Sequence, residues 1–96
     1  MEELRNKKFR RAFLREAIHD MLAGDLDSAK TVLREYINGT MGFIHLGKAL
    51  GRSPKSLMRM LGPDGNPHAR NLLELVAYLQ KADGVVVEVR VDDAAA

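Results

Sequence analysis

Phe43-Ile44-His45-Leu46-Gly47-Lys48-Ala49-Leu50-Gly51-Arg52-Ser53-Pro54-Lys55-Ser56-Leu57-Met58-Arg59-Met60-Leu61 is the stretch that decides the fold. It reads as two short helices joined by a tight turn. The first runs from about Gly42 to Leu50 and stops at Gly51, a residue that tolerates positive φ. The second runs from Pro54 to Leu61. Ser53 is a good N-cap, and Pro54 suits the first helical position because its missing N–H is not needed there. Gly47 supplies a small residue where the second helix packs over the first. Leu46, Leu50, Leu57 and Met60 fill the space between this pair and the rest of a core.

This spacing predicts a DNA-binding helix-turn-helix over residues 42–61, whose second helix enters the major groove. Its exposed face carries Ser53, Lys55, Ser56 and Arg59. Arg59 has the reach and geometry for guanine, and Lys55 suits phosphate. The backbone N–H groups at Ser53–Ser56 form a natural phosphate site. The competing reading is a plain helical hairpin in an all-helical bundle.

Charge supports the first reading. The chain has a formal net charge of only +2. Residues 40–70, however, carry Lys48, Arg52, Lys55, Arg59 and Arg70 against Asp64 alone, a net +4. Residues 71–96 carry a net −3. A basic block of this kind marks a polyanion-binding surface or a solvated face.

Working outward, Phe9, Phe13 and Ala17 are spaced i, i+4, i+8, with Leu14, Ile18, Met21 and Leu22 beside them. They predict a helix over residues 8–22, stopped by Gly24. Asp25 caps a second helix, roughly 26–37, with Leu26, Ala29, Leu33, Tyr36 and Ile37 in one stripe. Asn38-Gly39 ends it in a left-handed turn. Gly62-Pro63-Asp64-Gly65-Asn66-Pro67 is dense in turn formers. A fifth helix, about 69–82, presents Leu72, Leu75, Val76 and Leu79 and closes at Gly84.

Residues 85–91 alternate instead. Val85, Val87, Val89 and Val91 share one face of a predicted β-strand, and Val86, Glu88 and Arg90 share the other. A lone strand cannot satisfy its own backbone groups. Its partner is expected to be a second copy of the chain or a different protein. Residues 1–8 and the tail Asp92–Ala96 are expected to fray.

The chain of 96 residues thus reads as a single domain, 1–96, mainly α. It has no cysteine, which removes disulfides and thiolate metal sites. No apolar run approaches the roughly 20 residues of a membrane span. The N-terminus lacks the apolar stretch of a signal peptide, so a cytoplasmic location is expected.

The chain resembles the helix-turn-helix antidote (antitoxin) proteins of bacterial toxin–antitoxin addiction modules, within the lambda-repressor-like (Xre) class. The residues that carry the resemblance are Leu46-Gly47, Leu50-Gly51, Ser53, Ser56-Leu57 and Leu61, then Gly65-Asn66-Pro67, then Leu72-Leu73 leading to Leu79. Ala23-Gly24-Asp25 upstream is similar too. The likeness covers roughly residues 10–91, and Gly-Asn-Pro is its most distinctive piece.

Four departures stand out. Gly47 replaces a usual alanine, and Arg52 a usual apolar residue. Ile44-His45 stands where the family has a polar pair, and Pro54-Lys55 where Arg-Glu is commoner. His45 or Lys48 could replace the phosphate contact of the lost polar pair. The Pro54-Lys55 change suggests a different DNA preference. The resemblance implies a lambda-repressor-like DNA-binding domain of about five helices. It also implies a homodimer that represses its own operon on double-stranded operator DNA and neutralises a small toxin protein.

The candidate DNA-binding residues are therefore His45, Lys48, Arg52, Ser53, Lys55, Ser56 and Arg59. Val85, Val87, Val89 and Val91 are the candidate dimer or partner strand. No catalytic residue, metal ligand or cofactor is expected. His19, His45 and His68 are scattered, and Ser53 and Ser56 have no paired acid or histidine. Asp64-Gly65-Asn66 lacks the rest of a calcium loop. Met41, Met58 and Met60 read as core fillers, and Phe9 and Phe13 as core. Two alternatives remain: a stand-alone Xre-type regulator without a toxin, and a protein-binding antidote that does not bind DNA.

Overall fold

A computed structural model describes residues 6–95, and among them the chain forms five α-helices. The expected fraying of residues 1–5 and of Ala96 lies outside the described residues. Asn6 is not frayed, because its side chain caps the first helix by accepting the Lys8 N–H at 2.8 Å. That helix, α1, is Lys7–Leu22. Gly24, at φ +84°, turns the chain, and Asp25 caps the next helix by accepting the Ser28 N–H at 3.2 Å.

α2 is Leu26–Gly39, longer than the sequence suggests. Asn38-Gly39 does not end it in a left-handed turn. Instead the Thr40 hydroxyl donates to the Tyr36 carbonyl at 2.7 Å, satisfying one of the acceptors a helix end leaves open. The left-handed position passes to Gly42, at φ +79°.

α3 is Gly42–Leu50, α4 is Pro54–Met60 and α5 is Ala69–Asp83. α1 packs along α2, α2 meets α3, and α3 crosses α4. One core joins all five helices. Leu14 and Ala17 come from α1, and Leu33, Tyr36 and Ile37 from α2. Phe43 and Leu46 come from α3, Leu57 from α4, and Leu72, Leu75 and Leu79 from α5. Leu61 adds to it after α4. Phe9 does not join this core and is 50% exposed, whereas Phe13 is half-buried against it. Phe9 lies in the first turn of α1.

A polar tie links α1 to the end of α5. Arg10 of α1 donates to Asp83 at the end of α5 at 2.8 Å. Tyr36 of α2, 1% exposed, lies beside the same carboxylate. Burial first, then the charge and hydrogen bonding of Asp83, push the Tyr36 hydroxyl up to about 12.

The predicted strand over residues 85–91 does not form. The segment after Gly84 has no regular secondary structure, with no strand partner among the described residues and so no ladder to make it a strand. Gln80 takes that role over a short distance. Its backbone carbonyl accepts the Val85 N–H at 3.0 Å, and its side-chain Oε1 accepts the Val87 N–H at 2.8 Å. Val85 and Val87 pack against the core as one face of the alternation predicts. Val89 and Val91 leave it and are 64% and 90% exposed.

Candidate nucleic-acid interface

The turn between α3 and α4 follows from three residues. Gly51 ends α3 at φ +67°, in the left-handed region. The Arg52 N–H then returns to the Gly47 carbonyl at 2.9 Å. Ser53 caps α4, its hydroxyl oxygen accepting the Ser56 N–H at 3.0 Å. The crossing is close. A Cβ added at Gly47 would stand 2.5 Å from the Arg52 carbonyl oxygen and 3.4 Å from the Pro54 ring. Alanine, the usual residue of the resembled family, has no room here unless the turn moves.

Cap formation also corrects one expectation. Pro54 has no N–H, and the Ser56 N–H is already bonded to Ser53. The phosphate cradle expected from the Ser53–Ser56 backbone therefore keeps at most the Ser53 and Lys55 groups.

α4 is amphipathic in a simple way. Leu57 is buried and Met60 half-buried on one side. Lys55, Ser56, Met58 and Arg59 are exposed on the other. Met58 is 47% exposed, so the core-filling role expected for it is not borne out. The reason is angular. At about 100° per residue, Met58 falls between the arc of Leu57 and that of Lys55 and Arg59.

The other candidate residues fall around this face. His45 and Lys48 are exposed on α3, one turn apart. Arg52 is half-buried, and its guanidinium donates to the Asn71 side-chain oxygen of α5 at 2.6 Å. Arg52, a candidate DNA-binding residue, thus also straps the turn to α5, and its charge lines the surface. Two grooves flank α4. One, of about 300 Å³, includes Arg52, Ser56, Arg59, His68, Asn71 and the Gly65-Asn66-Pro67 turn. The second, of about 440 Å³, includes Arg34, Asn38, Phe43, Met58 and Arg59.

Two supports of this face were not legible as such. Lys30 is a lysine inside the apolar stripe of α2 and only 3% exposed. Its ammonium donates to the carbonyls of Gly62 at 3.0 Å and Gly65 at 2.7 Å, with Asp27 at 3.5 Å. It thus pins the loop that leaves α4. A lysine among Leu26, Ala29, Leu33 and Ile37 is the signal that could have found it. Gly65 is the second. A Cβ there would run into the Met60 and Arg59 carbonyl oxygens, so the Gly-Asn-Pro turn lies directly against the end of α4. Asn71, the partner of Arg52, gave no signal in the sequence.

The four valines expected to form a partner strand are split, with Val85 and Val87 on the core and Val89 and Val91 in solvent. No described helix is long and apolar enough to cross a membrane. No protein-family model, curated protein or solved structure matches this chain.

Proposed function

We propose that this chain is a DNA-binding regulator of lambda-repressor-like type that works by binding, without chemistry. One observation carries the reading. α4 turns Lys55, Ser56 and Arg59 outward from a capped, tightly crossed helix pair, inside the basic block of the sequence. α4 lies in the major groove. Arg59 reads a base edge, and Lys48 and Lys55 meet phosphates. His68, just before α5, and Asn71 in its first turn line the groove beside Arg59. The chain acts as a homodimer on paired half-sites. In keeping with its resemblance to addiction-module antidotes, it also neutralises a small toxin protein.

The test is duplex binding measured by fluorescence anisotropy across a salt series, using the DNA upstream of the chain's own gene. The two phosphate contacts, Lys48 and Lys55, predict a log–log salt slope of about −2 per protomer. No shift of that duplex at physiological salt would sink the reading. A second reading, a protein-binding antidote that does not touch DNA, is favoured by the exposed valines of the segment after Gly84. Val86, Val89 and Val91 there are 80%, 64% and 90% exposed. Co-purification with the product of the neighbouring gene, together with no duplex binding, would favour that alternative.

A further inference from the structure

Met58 is an apolar side chain where the binding face otherwise carries charge and hydroxyl groups. It is 47% exposed and stands outside the hydrophobic cluster, although Met60 two residues on packs against it. Its neighbours on the exposed arc of α4 are Lys55 and Arg59, and it shares the second groove with Phe43 and Arg59. Lys55 and Arg59 beside it, with Arg34 in the same groove against Asp64 alone, favour a polyanion as the partner that covers it. Among the base edges exposed in the major groove, the apolar group is the 5-methyl of thymine. A long, unbranched, polarizable side chain suits contact with a methyl whose position varies by fractions of an ångström.

We propose that Met58 is a specificity-determining residue that reads thymine, its thioether packing on the 5-methyl group beside the base contacted by Arg59. The assignment rests on the DNA-binding reading above. Met58 and Arg59 are consecutive, and adjacent Cα atoms are about 3.8 Å apart. Base pairs stack about 3.4 Å apart. The thymine therefore lies within about two base pairs of the Arg59 contact.

The experiment uses the whole chain and duplexes selected from a pool with a randomised core. Each thymine of the selected duplex is replaced in turn by deoxyuridine, which removes the methyl and nothing else. For the wild type, one position per half-site is expected to lose about 3- to 5-fold in affinity, the worth of one buried methyl. Met58→Ala should bind the thymine duplex about as weakly and be indifferent to deoxyuridine at that position. Met58→Leu should restore the discrimination. Circular dichroism checks that both variants are folded, which an exposed position favours. Full methyl discrimination by Met58→Ala, or a wild type blind to every methyl, overturns the role of Met58 while leaving DNA binding intact. Failure of the wild type to select any duplex overturns the DNA-binding reading and this one with it.

Discussion

Replacing Gly47 by alanine tests the helix crossing directly. An alanine Cβ would stand 2.5 Å from the Arg52 carbonyl oxygen, well inside ordinary van der Waals contact. Neither side can yield easily. The same turn is held by the Arg52 N–H on Gly47 at 2.9 Å, by the Ser53 cap at 3.0 Å, and by Arg52 on Asn71 at 2.6 Å. Overpacking of this kind costs about 1–3 kcal/mol, and the obstacle here is backbone, which favours the upper part of that range. Alanine returns about 1 kcal/mol through its better helix propensity. The net expectation is a loss of about 1–2 kcal/mol, read as a fall in Tm of roughly 5–15 °C for a domain of this size. Thermal unfolding followed by circular dichroism measures it. The same variant should bind DNA less tightly than its stability loss alone explains, because the turn sets the angle at which α4 is presented. A variant as stable as the wild type, or more so, would refute the reasoning. The turn would then lie farther from α3, as the alanine of the resembled family requires.

Three further outcomes follow from the same contacts. Lys30→Met should cost about 1–3 kcal/mol, since the Gly62 and Gly65 carbonyls lose their donor. Equal stability in urea unfolding would show that the latch contributes nothing. Tyr36 holds its proton more tightly folded than unfolded, with a pKa of about 12 against 10.0. Its contribution is therefore complete below pH 10 and is lost as the pH rises through 12, a change of about 3 kcal/mol. Urea unfolding between these pH values should show that loss in the wild type and not in Tyr36→Phe, and a Phe variant with the same alkaline slope would rule Tyr36 out. Arg59→Ala should weaken DNA binding by roughly 1–3 kcal/mol and relax the preference at one position. Binding that keeps both affinity and preference would remove Arg59 from base reading.

The helices were legible because their signals are local. Asp25, Ser53, Gly51 and Gly84 each act within a turn of where they stand, and the structure puts each at a helix end. What was not legible depended on a neighbour absent from the local sequence. The alternation of residues 85–91 is a sound strand pattern, but a strand exists only beside another, and the described chain offers none. Asn38-Gly39 lost its expected role because Thr40 could satisfy the helix end first. Phe9 fits the periodicity of α1 but lies in its first turn and stays half exposed, outside the core cluster. For the candidate site, the exposure of Lys55, Ser56 and Arg59 and the Ser53 cap were readable from spacing alone. The Lys30 latch and the Arg52–Asn71 strap were not, since each joins residues from different helices or loops.

The stitching by Gln80 moves the mechanical edge of the domain. The last helix ends at Asp83, yet Val85 and Val87 are held to Gln80 and to the core. A pull on the C-terminus, or a protease nibbling inward from it, is therefore first resisted at Val87. Residues 88–95 lie beyond that point, all exposed, and Arg90 there bonds to its near neighbour Asp92 at 2.9 Å.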